Sequence, residues 1–227
     1  DPRVQLAAEN AVVMAGSSAS IVALSTSTGA ILAAAQNSYA NDQGDVVFGG
    51  SYPAGTASEL VRAVQSDRGD ASAEDAAAGL GLGISYSMPG LDAYTGTPAD
   101  SRSAIDGIRT VSTASGDEAT VTPFGLAQMA AAISRGSAPI PTIVAGQTAI
   151  ANRESEAIGS DAANRLRGIL ADSSRSSGLD TFDGVQGFAG DSADDRFVLA
   201  TSGDVAFAVY IEDADGGDQA VRMTSRL

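Results

Sequence analysis

Apolar positions recur along this chain with two periods, and each period predicts its own kind of element. Val4, Leu6, Ala7, Ala8, Ala11 and Val12 fall at helical spacing, so Val4–Met14 reads as an opening helix. Ser20–Leu24 and Ala30–Ala34 are apolar runs joined by Ser25-Thr26-Ser27-Thr28-Gly29, the pattern of a β-hairpin. Asn37–Ser51 is polar and glycine-rich and reads as loop. Ser58–Val64 reads as a short helix entered through Pro53-Ala54-Gly55, and Asp67–Asp75 as another loop. Ala76–Pro89 is glycine-rich and Gly90–Arg102 turn-rich. Pro123–Arg135 carries the most complete helix signature, with Thr122 to cap it, Pro123 at its first position and Gly136 just past its end. Pro139 and Pro141 force extended backbone, and Asp161–Ala171 predicts a further helix capped by Ser160. Arg196–Thr201 and Val205–Ile211 predict a hairpin turned at Ser202-Gly203-Asp204. After the acidic turn Asp213–Asp218, Asp218 is positioned to cap a last helix.

This order of elements predicts an antiparallel sheet assembled from both ends of the sequence, with a helical insertion between them. No internal repeat or low-complexity tract interrupts it. The 227 residues suffice for a sizeable core, as one large domain or two small lobes. Apolar residues make up 44%, mostly Ala, Val, Ile and Leu, so the core is built from small side chains. No apolar run approaches the ~20 residues of a membrane span. Asp1-Pro2-Arg3 is not a secretory start, as expected of a domain excised from a longer chain.

Charge and reactive side chains narrow the chemistry. A formal charge of −15 repels DNA, RNA and anionic lipid, so no nucleic-acid partner is expected. A salt-loving host or a GC-rich genome would each favour such an acidic, lysine-free chain. Cysteine and histidine are absent, and all 13 basic residues are arginines. Arginine stays protonated and cannot act as a general base, so Cys nucleophiles, His bases and Lys bases are all excluded. Zero cysteine fits an extracytoplasmic domain or a cytosolic one and does not decide between them.

Three local patterns read as ordinary structure. Gly79-Leu80-Gly81-Leu82-Gly83 with Asp100 resembles a dinucleotide loop, but the residues before it, Glu74–Ala78, read as helix, not strand. Asp213, Asp215 and Asp218 lack the spacing and the terminal Glu of a calcium loop. Asp191, Asp194 and Asp195 read as a solvated loop in preference to an acid–base pair. No cofactor and no metal are expected.

Six segments in order resemble the transpeptidase domain of penicillin-binding proteins and the related serine β-lactamases. They are the opening helix around Gln5-Leu6-Ala7-Ala8-Glu9, the hairpin Ala19–Ala33, Tyr52-Pro53-Ala54-Gly55-Thr56, Gly79-Leu80-Gly81 with Pro89-Gly90, Val121–Ala130, and Gly187–Asp191 followed by Arg196-Phe197-Val198. The resemblance implies a five-stranded, mostly antiparallel sheet flanked by helices, an α/β fold of the α+β kind. It implies a sheet lobe from about 1–56 and 140–227 and a reduced helical lobe from about 57–139. The hairpin Ser20–Ala34 would pair beside the C-terminal strands.

Laid on this sequence, the family's Ser-x-x-Lys motif falls on Thr56 and Glu59. Its Ser-x-Asn motif has no counterpart, since no asparagine occurs from residue 42 to residue 151. Its Lys-Thr-Gly-Thr motif falls on Phe188-Ala189-Gly190-Asp191, with only Gly190 kept. The resemblance therefore implies a transpeptidase fold without transpeptidase activity: a scaffold or interaction module in bacterial peptidoglycan synthesis or cell division. Such a domain would lie outside the cytoplasmic membrane in a membrane-anchored protein. Its partners would be envelope or cell-wall-synthesis proteins, or other domains of the same chain. Two other readings stand beside it. One is a divergent acyl-transferase or hydrolase using Thr56 or Ser58 with Glu59. The other is a cleft that binds a cationic ligand through Glu59 and Asp191.

Overall fold

The computed structural model describes residues 1–68, 72–98, 111–112 and 119–227, and of Arg68, Val111 and Ser112 the backbone alone. Helix α1 (Pro2–Val12) opens the chain and is followed by strands β1 (Ala19–Ser25) and β2 (Ile31–Gln36). Helix α2 (Ser58–Arg68), helix α3 (Pro123–Arg135) and helix α4 (Ser160–Ser177) come next. Strands β3 (Val185–Ser192), β4 (Asp195–Ser202) and β5 (Val205–Ile211) then lead to helix α5 (Gln219–Thr224).

The five strands form one sheet in the order β3-β4-β5-β1-β2. Every neighbouring pair is antiparallel. The sequence-distant seam is β1 against β5, in register from Ala19↔Ile211 to Ser25↔Val205. Alternation along the strands sends side chains to two separate cores. Val22, Leu24, Phe188, Phe197, Leu199, Ala208 and Tyr210 face the larger core, shared with α2, α3 and α4. Ile21, Ala23, Val198, Phe207, Val209 and Ile211 face a second core that α1 and α5 cover. Because both faces are buried, β1 and β5 read as continuous apolar runs, not alternating ones.

The seam is fixed at one end by a single carboxylate. Asp204, in the β4–β5 turn, accepts from Ser25 Oγ at 2.7 Å, Thr26 Oγ1 at 2.7 Å, Ser27 N at 2.9 Å and Ser27 Oγ at 3.0 Å. Those hydroxyl bonds, with Ser25 the largest contributor, hold its carboxyl down at about 2.

The strongest sequence signals form as expected. Thr122 caps α3, its Oγ1 accepting from Gly125 N at 2.8 Å, and Gly136 closes the helix in the left-handed region. Four expectations need correction. Asn37–Ser51 is not plain loop: it forms one-turn helices at Ser38–Asn41 and Val46–Gly49, with a strand beginning at Gly50. Asn37 and Asp45 cap those turns, and Val46, Val47 and Phe48 are buried. Within the glycine-rich stretch, Ser85–Met88 and Leu91–Tyr94 pair as a hairpin, with Tyr86 and Met88 turned inward and Ser87 outward. Helix α4 runs on to Ser177 because Leu166, Leu170 and Ser174 continue one buried stripe, and its cap position is Gly159, not Ser160. Asp218 stands at the start of α5, but its side chain pairs with Arg222 and caps no amide.

Candidate active site

The segment that leads into α2 is anchored before it reaches the candidate nucleophile. Tyr52 and Val121 pair across a short antiparallel ladder, and the Tyr52 ring stacks on Tyr210 of β5 at 4.3 Å between centroids. The Tyr52 hydroxyl donates to Glu212 Oε1 at 3.0 Å, and the Tyr210 hydroxyl donates to Asp195 Oδ2 at 2.7 Å. Burial, then the neighbouring carboxylates, pushes both phenols well above their ordinary range. Asp195 is accordingly no free loop residue. It is half-buried, it also accepts from Asp213 N at 3.1 Å, and burial pushes its carboxyl upward against the opposing effect of the Tyr210 bond.

From this anchor Gly55–Ala57 forms a single 3-10 turn that packs directly on β3. Gly55 has φ +48°, and a side chain there would drive into the Asp191 carbonyl and Ser192. Thr56 then uses its hydroxyl twice on one residue of the strand. Oγ1 accepts from Asp191 N at 2.9 Å and donates to the Asp191 carbonyl at 3.2 Å. Gly190 makes this approach possible, since a Cβ there would stand 2.6 Å from Thr56 Oγ1 and inside the Phe197 ring.

The five sequence candidates thus separate. Thr56, Gly190 and Asp191 come together as a closed joint between the turn and the strand. Phe188 turns into the larger core, buried, with its ring 6.3 Å from that of Phe197, where a cation would have no access to a ligand. Glu59 lies exposed in the first turn of α2. Ser58 lines a cavity of about 440 Å³ together with Arg62, Ala77, Leu82 and Thr120.

Two further hydroxyls continue the closure, and sequence reasoning missed both. Ser173 Oγ accepts from Ala189 N at 3.0 Å. Ser174 Oγ accepts from Gly187 N at 2.8 Å and donates to the Gly187 carbonyl at 3.0 Å. With Thr56, the backbone of β3 is met at 187, 189 and 191, the alternate residues whose amides point away from β4. The available signal was the serine at position 174, eight residues after Leu166 on the apolar stripe of α4, where an aliphatic side chain would be expected.

The glycine run Gly79–Gly83 follows a helix, Ala73–Gly79, and precedes the Ser85–Met88 strand, the reverse of a strand-to-helix phosphate loop. Asp100, its sequence partner, lies outside the described residues. Among the described residues no cluster of acidic side chains could hold a metal ion. None of the described helices is long and apolar enough to cross a membrane.

No family model matches the chain, and no curated protein sequence matches it. Solved structures do. PBPA from Mycobacterium tuberculosis is 17% identical with a TM-score of 0.65, over 100% of this chain and 81% of that one. The transpeptidase domain of Burkholderia pseudomallei penicillin-binding protein 3 is 15% identical with a TM-score of 0.67, over 100% of this chain and 92% of that one. PBP2 from Helicobacter pylori is 11% identical with a TM-score of 0.71, over 100% of this chain and 61% of that one. Identities this low speak for architecture alone, and on that ground this chain has the fold of the penicillin-binding-protein transpeptidase domain.

Proposed function

We propose that this domain is a transpeptidase fold that forms no acyl-enzyme and serves as a scaffold or interaction module in bacterial cell-wall synthesis or division. It would be displayed outside the cytoplasmic membrane by a membrane-anchored chain, with envelope proteins or neighbouring domains as partners. The observation that carries this reading is the double hydrogen bond between the Thr56 hydroxyl and the backbone of Asp191. A nucleophile needs a free lone pair and a base to take its proton. The Thr56 lone pair accepts an amide and its proton faces a carbonyl. Glu59 offers a carboxylate in place of the family's lysine, and Phe188 with Asp191 offers no cationic clamp. Two carboxylates beside an anionic substrate would oppose binding.

The strand edge supports the same reading. An extended peptide would bind β3 by adding a strand to its free edge, and three hydroxyls already occupy that edge. The test is intact-mass analysis after incubation with a reporter penicillin, which should show no covalent adduct. The triple substitution Thr56→Ser, Glu59→Lys, Phe188→Lys should stay unreactive as well, because no Ser-x-Asn element exists to relay protons. A stoichiometric penicilloyl shift on the unmodified domain would sink the proposal. If that shift vanished in Ser58→Ala but persisted in Thr56→Val, the reactive group would be the serine that lines the open cavity.

A further inference from the structure

Helix α2 buries one face and leaves another over a hollow. Leu60 and Val64 are fully buried in the larger core. Ser58, Val61, Arg62 and Gln65, at i, i+3, i+4 and i+7, form a second stripe along the helix, and all four line the cavity of about 440 Å³. Thr56 is not part of that lining, so the hollow is separate from the joint with β3. The space exists because the side chains around it stop short: Ala54, Ala57, Ala73, Ala77 and Ala119 all border it. Protein interiors leave few voids larger than a water molecule, and longer aliphatic side chains at these positions would fill this one. A cavity of about 150 Å³ admits benzene, so this one has room for a two-ring body. Its size and mostly apolar wall, completed by Leu82, Pro98 and Val121, are those of a small-molecule site.

Two polar groups of the lining have no bonding partner. The Ser58 hydroxyl and the Arg62 guanidinium stand one helical turn apart, and neither makes a side-chain hydrogen bond or an ion pair among the described residues. The threonines of the wall are occupied: Thr120 Oγ1 accepts from Thr97 N at 3.0 Å, and Thr97 Oγ1 bonds the Tyr94 hydroxyl. Arg62 is the single charged residue of the lining. Of the carboxylates on the two bordering helices, Asp67 pairs with Arg165, and Glu74 and Asp75 pair with Arg153. Glu59, exposed in the same turn of α2, lies outside the lining and makes no ion pair with Arg62. The hollow therefore joins an apolar body to one unspent cation and one unspent hydroxyl, side by side.

We propose that this cavity binds a small organic acid, a carboxylate carried on a compact apolar body of one or two rings. The apolar body fills the space that the alanines leave. The carboxylate takes two parallel N–H bonds from Arg62, and the Ser58 hydroxyl donates to one of its oxygens. The inference goes beyond the inactive-scaffold reading and does not rest on it, because the binding is non-covalent and leaves Thr56 on its strand.

Titration of the whole domain with naphthoate, followed by two-dimensional amide NMR, tests it. Saturable shifts should gather at Ser58, Arg62, Ala77, Leu82 and Thr120. The uncharged isostere naphthamide should bind more weakly. Arg62→Gln should weaken naphthoate at least about tenfold and leave naphthamide unchanged. Arg62 is exposed, so the melting temperature of that variant should match the parent and separate lost binding from lost folding. Ala73→Leu fills the hollow and should remove the shifts with both probes. The absence of saturable shifts, as from a hollow that the chain itself fills, would overturn the proposal. So would shifts gathered instead around Phe182 and Val205, which line a separate cavity of about 530 Å³. Naphthamide binding as tightly as naphthoate, or naphthoate binding indifferent to Arg62→Gln, would overturn the assignment of a carboxylate. The reporter-penicillin measurement reads covalent chemistry and this titration reads reversible binding, so the two proposals can fail separately.

Discussion

The sheet has two edges, β3 and β2, and they are closed in different ways. On β3, hydroxyls from two separate elements meet the backbone at three alternate residues. On β2 the N-terminal segment closes the edge: Gln5 of α1 accepts from Ala34 N at 2.9 Å and donates to the Ala34 carbonyl at 2.9 Å, and the Asp1 amino group donates to the Leu32 carbonyl at 2.7 Å. Both solutions imitate the donor and acceptor of an adjoining strand, which satisfies an edge that would otherwise pair with another chain. The difference lies in what each joint connects. Gln5 ties β2 to α1, only one strand away in sequence, whereas Thr56, Ser173 and Ser174 tie β3 to α4 and to the entry of α2. The β3 edge is therefore also the seam between the sheet and the helices. A substrate could enter there only by breaking structural hydrogen bonds.

The two edges should respond unequally when their caps are removed. Ser174→Ala strips both partners from a buried glycine backbone and should cost about 2–3 kcal/mol, read as a lower urea midpoint at unchanged slope. Thr56→Val keeps the shape and removes two bonds at the more exposed end of the same strand. It should cost about 1 kcal/mol and speed hydrogen exchange at the Asp191 amide. A faster-exchanging Asp191 with no loss of stability would show that the joint is decorative. Gln128 supplies the reverse case. Its side-chain amide is fully buried in α3, and among the described residues neither its Nε2 nor its Oε1 has a hydrogen-bond partner. Gln128→Met should stabilise by about 1 kcal/mol, as a raised melting temperature.

Asp204 gives the seam its own acid test. Its folded-state pKa is lowered, so its contribution is present above the unfolded carboxyl value and is lost as pH falls through about 2. Asp204→Asn should lower stability at neutral pH by no more than about 1 kcal/mol, because the group is solvent-exposed. The difference between variant and parent should vanish in melts near pH 2. The smallest effect is expected for Gln5→Ala, about 0.5 kcal/mol, since water can reach the freed Ala34 groups.

Much of the sheet was legible in the sequence because its signals are local. The hairpins at Ser25–Gly29 and Ser202–Asp204 announce themselves by turn residues between apolar runs, and α3 by a complete set of end signals. Ser85–Tyr94 was not legible, because glycines flanking short strands hide a two-residue period. Val46–Phe48 was hidden inside a polar stretch, although Asp45 is a good cap. At the candidate site the family resemblance put Thr56 in one motif and Gly190 and Asp191 in another, and the fold brings those three together. It could not show that the threonine hydroxyl is spent on the strand backbone, nor that Ser173 and Ser174 do the same from a helix. Those are contacts between segments well over a hundred residues apart, or between a helix and a strand whose relative twist no local pattern encodes.

The β1–β5 seam has one more consequence, for how this architecture tolerates lost material. The strands that hold the sheet together come from the two ends of the sequence, and everything from Asn37 to Thr120 is strung between β2 and the core helix α3. The entropy of closing such a connection depends only logarithmically on its length, about 0.6 kcal/mol for each doubling. Trimming that stretch barely alters the closure entropy of joining β1 to β5. What limits deletion is packing, since Phe48, Tyr52, Leu60 and Tyr86 fill the larger core and Thr56 clasps β3. Residues outside such contacts can be lost from the middle of the chain, and a catalytic element carried by them can vanish without the protein ceasing to fold.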